Sequence, residues 1–360
     1  MNTPGTRQRV PPARAIIGCL LGTAVGDAVG LACEAMSKQR QAKMFPNLDG
    51  PRLLFGRGLV SDDTEHTCMV AQALIVSAGE PTKFSCSLAW RLRCWLLGLP
   101  PGIGLATLRS LLKLWVGFPP SHSGVYSAGN GPAMRSAILG VCYGSDPEKL
   151  RTLVRASSCI THTDPRAERG ALAVALAAHC ASLGITHPQT YCQKLEMMIG
   201  AEGRDLLELI AKSVSSAARG ENTDELAAAM GLAKGVSGYV NHTVPIALNA
   251  WFRHPRDYRA AVLSVIHCGG DTDTMAAIAG AIVGSGTGKD GIPSPWLNSI
   301  CEWPRTLEWI ERLGAHLAEV CADGQARAPL RLPFYGVPLR NLFFATVVLA
   351  HGLRRLLPPY

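Results

Sequence analysis

Apolar residues recur along this 360-residue chain at the three- and four-residue spacing of helices, and no long stretch alternates as a strand would. The segments with this spacing are 16–33, 66–78, 83–99, 105–116, 137–141, 167–183, 191–199, 205–217, 223–232, 275–283, 309–318 and 342–350. Aromatic residues make up only 6% of the chain, whereas Ala and Gly are abundant, which favours closely packed helices over a β-sandwich. We therefore predict an all-α fold.

The first predicted helix has a glycine at every fourth position. Gly18, Gly22, Gly26 and Gly30 form a stripe without side chains on one helix face, where a second backbone can approach closely. In an apolar segment such a stripe also suits a pair of membrane helices. Asp27 in the middle of the helix argues against that alternative, so we expect tight packing inside a soluble bundle.

The overall composition limits the classes of function. Apolar residues are 48% and charged residues 17% of the chain, so we expect a sizeable core and exclude global disorder. The net charge of +8 suits an anionic small ligand as well as it suits nucleic acid. No Lys and Arg run with interleaved aromatic residues occurs, and we expect no nucleic-acid partner.

The twelve cysteines are scattered and include no Cys-x-x-Cys pair. They are typical of buried, reduced thiols in a cytoplasmic protein, and their spacing does not suit a zinc site. Because Asp27, Arg340 and His351 interrupt the longest apolar runs, we predict no run of membrane-spanning length and no stable membrane insertion.

The chain divides into three parts by composition. Residues 1–14 are polar and are expected to be a flexible arm that lacks the apolar core of a signal peptide. Residues 15–325 are expected to form one domain, which we expect to be a monomer. The proline-broken, apolar extension 326–360 is expected to pack on that domain or on a partner, with a membrane-surface role as a less favoured alternative.

One short acidic stretch precedes the apolar segment 275–283. Gly269 and Gly270 allow a tight backbone turn, and Asp271 and Asp273 follow with a threonine after each. Asp is a good helix cap, so one interpretation is a capped helix start. Capping needs only one carboxylate, whereas paired carboxylates with a hydroxyl suit a hard divalent cation.

A second stretch of the same chemistry lies near the start of the chain. Ser61, Asp62 and Asp63 precede the predicted helix 66–78. If the fold brings both stretches together, their oxygens could hold two metal ions about 3.5–4 Å apart.

Two further motifs are weaker signals. Residues 127–135 contain an Asn-Gly loop before an apolar helix, whose backbone amides could bind phosphate, although most such loops are simple turns. His162 precedes Asp164-Pro165, a position where a histidine is more often structural than catalytic. No acidic residue occurs between Glu80 and Asp146, where six basic residues occur, and this favours an anion nearby or a solvated helix face.

Taken in order, these motifs resemble those of the ADP-ribosylglycohydrolase family over residues 16–296. The matching stretches are Gly22-x-x-x-Gly26-Asp27-x-x-Gly30-x-x-x-Glu34, Ser61-Asp62-Asp63-Thr64, Gly129-Asn130-Gly131-x-x-Met134-Arg135, Thr161-His162 and Gly269-Gly270-Asp271-Thr272-Asp273-Thr274. The resemblance implies a compact orthogonal multi-helix bundle with two Mg²⁺ or Mn²⁺ ions in a cleft.

The resemblance also implies roles for individual residues and a reaction. The implied metal ligands are Ser61, Asp62, Asp63, Asp271, Asp273 and Thr274. Residues implied to hold the substrate are Ser127, Gly129, Asn130, Gly131 and His162. The implied reaction is hydrolysis of the bond between ribose and a modified protein side chain by a metal-oriented water, with Glu34 or Asp63 as base.

The linkage and two rival functions stay open at this point. Arginine is the first expectation for the modified side chain, but the acid-free stretch offers no carboxylate for a guanidinium, so serine or other linkages are also considered. Pro132 removes one amide donor from the loop. A catalytically silent ADP-ribose-binding protein and a two-metal phosphoesterase are the alternatives.

Overall fold

The computed structural model describes residues 12–333 and 335–358. Helices account for 68% of the structure, and the described residues form isolated β-bridges but no sheet. The prediction of an all-α fold is confirmed. The expected arm, residues 1–14, lies mostly outside the described residues.

The described residues form eighteen α-helices, α1 to α18 in chain order. Their bounds are Ala13–Gly30, Lys38–Met44, Asp62–Ser77, Pro81–Leu96, Leu105–Trp115, Gly131–Met134, Ala137–Tyr143, Pro147–Cys159, Pro165–Ser182, Pro188–Ile199, Arg204–Ala218, Thr223–Ala229, Val240–Arg253, Tyr258–Ile266, Thr272–Thr287, Ser294–Ser299, Leu307–Asp323 and Gly336–Arg354. Short 3₁₀ turns occur at Leu31–Cys33, Ala201–Gly203 and Lys289–Gly291. The apolar segments predicted above leave out α2, α6, α8, α13, α14 and α16. Of these, α2 and α16 bury only one or two side chains.

Helices α1 and α15 form the centre of the bundle and touch through their backbones. A methyl group added at Gly18, Gly22, Gly26 or Gly30 would lie 2.1–2.4 Å from a carbonyl oxygen of α15. The facing residues are, in the same order, Gly284, Gly280, Ala276 and Thr272. The two helices therefore run antiparallel, and the expectation of close packing along the glycine stripe is confirmed.

This packing places the C-terminal end of α1 beside the N-terminal end of α15. Glu34 follows the 3₁₀ turn Leu31–Cys33 at the end of α1, and Asp271 and Asp273 lie at the start of α15. The N-terminal end of α3, with Ser61, packs against α1 as well, because the Ser61 amide bonds to Asp27. Three acidic helix ends thus meet at one end of the central pair.

The C-terminal extension lies against the bundle. The Leu330 backbone exchanges two hydrogen bonds with the side chain of Gln72 on α3. Further on, Arg340 of α18 is buried and donates to the carboxylate of Glu302 at 2.6 and 2.8 Å. Arg340 also donates to the carbonyl oxygen of Val60, at 2.5 Å. Because Val60 directly precedes Ser61 in the chain, α18 lies close to the start of α3.

Two described helices are long and apolar enough to cross a membrane, so the prediction that no run reaches that length was wrong. Mean hydropathy is 1.9 for Ala13–Cys33, where 94% of the apolar window is buried inside the protein, and 1.3 for Gly336–Arg354, where 33% is buried. A single Asp27 lowers the average of an 18-residue window only slightly, and the burial of the first helix agrees with a core role. All twelve cysteines are described, and each is a free thiol.

Candidate active site

The start of α3 is held by the buried carboxylate of Asp27 on α1. Asp27 accepts hydrogen bonds from the Ser61 amide at 2.9 and 3.0 Å and from the Thr64 amide at 3.2 Å. The Thr64 hydroxyl adds a fourth, at 2.5 Å. Burial raises the pKa of Asp27 to about 7, and these donated hydrogen bonds oppose the rise. Asp27 therefore positions the Ser61–Asp63 turn.

Sequence reasoning did not assign this role to Asp27. The available signal was its place in the middle of an apolar helix, because a buried carboxylate needs hydrogen-bond donors. The sequence does not say which donors these are, since Thr64 lies 37 residues away.

Ser61 caps α3, and the start of α15 is built differently. The Ser61 hydroxyl accepts from the Asp63 amide at 3.2 Å and so caps α3. Asp271 stands at the N-cap position of α15 but makes no side-chain cap hydrogen bond. Its Oδ2 instead accepts from the side-chain amide of Asn130 at 2.6 Å. The Asp271 carboxylate is therefore directed at the loop that contains Asn130.

Gly269 and Gly270 make the turn before Asp271 possible. Both have positive φ angles, +69° and +84°. At Gly270 a methyl group would lie 2.1 Å from the Val236 carbonyl oxygen. Hydrogen bonds tie this turn to Met36 on one side and to Val236 on the other, so any larger side chain would push these segments apart.

The two acidic stretches meet, as their chemistry led us to expect. Thr274 lies next to Asp63, and the Ser61 hydroxyl donates to Oδ2 of the same aspartate at 3.3 Å. Asp63 and Asp273 are buried together with Ser61 and Thr274, while Asp62 and Asp271 are half-buried. Glu34 lies at the exposed edge of the group.

The carboxylates raise one another's pKa values. Burial raises the pKa of Asp62 to about 8, with the neighbouring Asp27, Glu65 and Glu34 adding to the rise. Burial and nearby carboxylates also raise the pKa of Asp63 and of Asp273 well above the usual range. Although part of the Glu34 side chain is exposed, the protein around its carboxyl removes water and raises its pKa, and the charge of Asp271 raises it further. Such a group of acids is unfavourable without a balancing positive charge.

The residues fit a cation. Oδ1 of Asp63 and Oδ1 of Asp273 are buried and have no hydrogen-bond partner. A buried, unpartnered carboxylate oxygen is costly unless an ion occupies the space next to it. Within the described residues, however, no three His, Cys, Asp or Glu side chains are grouped closely enough to enclose a metal ion. The dinuclear site itself therefore stays a prediction.

The Ser127–Gly131 loop lies over His162. Methyl groups at Gly129 and Gly131 would lie 2.9 and 3.0 Å from the imidazole ring, so only glycine lets the loop lie this close. Burial, together with the charge of Arg135, lowers the pKa of His162 to about 3, so the ring is neutral. The imidazole thus forms the base of the loop.

Two amides of this loop are already used within the protein. The Gly129 amide donates to the Ser127 hydroxyl at 3.3 Å, and the Asn130 amide donates to the Gly238 carbonyl oxygen at 2.9 Å. The expectation that the amides of this loop are free is therefore wrong at these two positions.

Beneath the loop lies a fully buried arginine without a carboxylate partner. Arg135 donates to the Ser157 hydroxyl and carbonyl and to the Thr161 hydroxyl, at 2.8–3.1 Å. Burial lowers the pKa of Arg135 to about 10, and the charge of Asp62 opposes the fall. Arg135 is thus a fixed positive charge on the inner side of the acidic group.

A second arginine, from the C-terminal extension, lies at the outer side. Arg355 donates from Nη1 to the carbonyl oxygen of Glu34 at 2.7 Å, and its charge opposes the rise in the pKa of the Glu34 carboxyl. Its Nε is buried without a hydrogen-bond partner. The chain therefore presents a cation beside Glu34, at the exposed edge of the acidic group.

Comparison with known proteins agrees with this geometry. Residues 9–327 match the family model described as ADP-ribosylglycohydrolase. The ADP-ribosyl-[dinitrogen reductase] glycohydrolase of Rhodospirillum rubrum is 26% identical over 79% of this chain and 89% of its own. The ADP-ribosylhydrolase ARH3 of Gallus gallus is 27% identical over 82% of this chain and 91% of its own.

A solved structure has the same fold. The chain from an ADP-ribosylglycohydrolase-related protein complex superposes with a TM-score of 0.64 and 26% identity, covering 86% of this chain and 98% of its own. Together with the family match over most of its length, this shows that the chain belongs to the ADP-ribosylglycohydrolase family and is a hydrolase of glycosyl bonds.

Proposed function

We propose that this protein removes ADP-ribose from a modified protein side chain with the help of two divalent ions, Mg²⁺ or Mn²⁺. The observation that carries the proposal is the pair of buried, unpartnered oxygens on Asp63 and Asp273, at the place where two acidic helix starts meet. Metal dependence is general in the family.

The residues that would hold the ions come from both helix starts. They are Ser61, Asp62 and Asp63 at α3, with Asp271, Asp273 and Thr274 at α15. Bound there, the ions would fix the ribose hydroxyls and lower the pKa of a water in the cleft. Asn130 orients Asp271 for this purpose, and Asp27 orients the turn that carries Asp62 and Asp63.

The protein's own acids act on the reacting sugar. Cleavage at the anomeric carbon builds positive charge on the ribose ring, which nearby carboxylates stabilise. Glu34 or Asp63 would accept the proton of the attacking water, a role that contributes on the order of 10²–10⁴-fold in rate. The accessible position of Glu34 and its raised pKa suit this exchange.

The loop side of the cleft would hold the pyrophosphate. Ser127 and Gly131 would face the pyrophosphate, whereas Gly129 and Asn130 are held in place by the hydrogen bonds of their backbone amides. His162 would support the loop from below as a neutral ring, so it would fix the shape of the loop and supply no charge. Arg135 adds positive charge beneath the same loop.

Two linkages remain candidates for the leaving side chain. Arginine is the first, as the sequence led us to expect. The second, an oxygen linkage such as serine, is favoured by Arg355, because a cation next to Glu34 repels a guanidinium and leaves a neutral hydroxyl unaffected. The acid-free stretch 81–145 points in the same direction.

The test is incubation with Mg²⁺ or Mn²⁺ and proteins ADP-ribosylated on arginine or on serine, followed by identification of the product. Release of ADP-ribose supports the proposal, release of AMP supports a phosphoesterase, and no turnover supports a silent binding protein. Asp62→Ala and Asp273→Ala are expected to abolish activity while the helical circular dichroism stays. Asp290→Ala, at an exposed aspartate outside the cleft, is the matched control.

A further inference from the structure

The two faces of α18 differ sharply. Its inner face is buried on the protein through Val337, Arg340, Phe344 and Val347. Its outer face is uncharged and exposed along its whole length, and it is apolar apart from Thr346, whose hydroxyl bonds to the Leu342 carbonyl oxygen. The exposed residues of this face are Leu339, Leu342, Phe343, Val348, Leu349 and Leu353, with 38–68% of each side chain accessible. Single exposed leucines are ordinary, but a continuous apolar helix face indicates a binding surface.

A neighbouring turn extends this surface. Leu54 and Arg57 pair across a two-residue turn, in which Phe55 and Gly56 both have positive φ angles, +49° and +82°. Leu53 of the same segment packs with residues of the inner face of α18, which places the turn beside that helix. At its tip the Phe55 side chain is fully exposed.

The Phe55 position is unfavourable for the folded protein alone. A two-residue turn with positive φ at both positions prefers Asn-Gly, because bulky side chains are strained in the left-handed region. An aromatic side chain there gains nothing from burial, since no part of it is covered.

The charge around this surface has one sign. No acidic residue occurs in 325–360 or in 50–61. Arg52 and Arg57 are exposed on either side of Phe55, and Arg354 is exposed at the end of α18. Glu302, the acid that lies under α18, is buried and neutralised by Arg340. Within 50–61 and 325–360 the charged side chains that border the apolar face are therefore all cations, and the exposed acid Glu34 lies beyond them, next to Arg355.

We propose that the outer face of α18 and the Phe55 turn dock on the surface of a bilayer that contains anionic lipids. Apolar side chains would enter the acyl boundary while the arginines meet the headgroups. The helix would lie in the plane of the surface, because the Arg340–Glu302 pair holds its inner face on the protein. A second copy of this chain is disfavoured as the occupant, since two faces bordered by arginines would repel each other.

This surface adjoins the acidic group around Glu34. Arg355, one residue beyond the exposed Arg354, bonds to the backbone of Glu34. A docked protein would therefore have its acidic cleft close to the bilayer.

The test is cosedimentation of the full chain with phosphatidylcholine vesicles, with and without phosphatidylglycerol. We expect binding to the anionic vesicles only, weakened by salt. Phe55→Asn and the double variant Leu342→Gln/Leu349→Gln should each lower the vesicle affinity at least about tenfold, the effect of one large apolar side chain. Met197→Gln, at an exposed residue of α10, should bind like the wild type.

The Phe55→Asn variant also separates a loss of binding from a loss of folding. Because Asn suits the left-handed turn, Phe55→Asn should leave the melting temperature unchanged or raise it. Absence of sedimentation, or equal binding by all variants, would overturn the proposal. A dimer in light scattering without lipid that Leu342→Gln/Leu349→Gln dissociates would also overturn it and identify a second copy as the occupant.

Discussion

The side-chain amide of Asn130 lies 2.6 Å from Oδ2 of Asp271 and joins two motifs that are 141 residues apart in the chain. The same amide donates to the Thr243 hydroxyl at 3.0 Å, so both of its hydrogens are engaged. The loop that would hold the pyrophosphate and the acid that would hold an ion are thus positioned by one side chain.

Replacing Asn130 with Asp should therefore impair catalysis more than folding. The new carboxylate would face Asp271 at hydrogen-bond distance, and losing a hydrogen bond to a charged group removes about 1.5–3 kcal/mol, which is roughly 10- to 150-fold in rate. The measurement is kcat/KM for release of ADP-ribose. Asn222→Asp, at the exposed start of α12, is the control. Equal activity of the two variants would show that Asn130 does not orient Asp271.

Metal ions should stabilise the folded protein. At a concentration about 100 times the dissociation constant, an ion that binds only the native state adds about 2.7 kcal/mol. We expect Mg²⁺ or Mn²⁺ to raise the melting temperature of the wild type and not that of Asp63→Asn. In EDTA, Asp63→Asn should melt no lower than the wild type, because it removes repulsion among buried acids. An equal shift with metal in both proteins would contradict the assignment of Asp63.

Without metal, stability should fall as the pH rises. Asp62 has a pKa of about 8 when folded and a value near 3.9 when unfolded, so the native state binds the proton more tightly. Such a group makes unfolding easier as the pH rises between these two values. The melting temperature in EDTA should therefore decrease from about pH 5 to about pH 8. Asp62→Asn should reduce the slope of melting temperature against pH. An unchanged slope would contradict the assignment of this pH dependence to Asp62.

The glycine stripe should tolerate no side chain. In Gly22→Ala the added methyl would lie 2.3 Å from the Gly280 carbonyl oxygen, so α1 and α15 would have to separate. We expect a loss of several kcal/mol in the free energy of unfolding, roughly the range of severe core variants. Gly352→Ala, in α18 with no atom within 4 Å, should instead stabilise by about 0.5–1 kcal/mol. Urea denaturation of both variants checks the contrast.

Arg355 should influence which linkage is cleaved. Arg355→Glu would replace a cation beside Glu34 with an acid, and a guanidinium leaving group would then be attracted. We expect the ratio of arginine- to serine-linked cleavage to rise about 3- to 10-fold, the scale of a reversed half-exposed charge. The control is Arg354→Glu, whose parent side chain bonds to the Pro358 carbonyl oxygen and not to Glu34. The same ratio in both variants would exclude a role for Arg355.

Much of the fold can be predicted from the local sequence pattern, whereas less of the site can. Helices with a full apolar face, such as α1 and α15, are predicted from spacing alone, and the glycine stripe even indicates how they pack. Helix α8 has the helical spacing at Leu150, Leu153 and Val154, but serines take the next positions on its buried face, so the apolar pattern is short. The acidic stretches are visible because carboxylate pairs are chemically distinctive.

The partners of single polar side chains could not be predicted. Asn130 was expected to contribute a backbone amide to the anion. Instead its side chain donates to Asp271, and its backbone amide donates to the Gly238 carbonyl oxygen. The position of Arg355 depends on how the extension folds back over the domain, a long-range arrangement that no local motif encodes.

The contact between α1 and α15 has a consequence for how such a protein can change. At Gly30 the backbones of α1 and α15 are in direct contact, close to Glu34 and Asp273. No side chain lies between the two helices there whose size could change. Substitutions elsewhere in the core can therefore accumulate without altering the spacing of these acids. New substrate preferences would arise at the rim, where side chains such as Arg355 are free to vary while the catalytic frame is not.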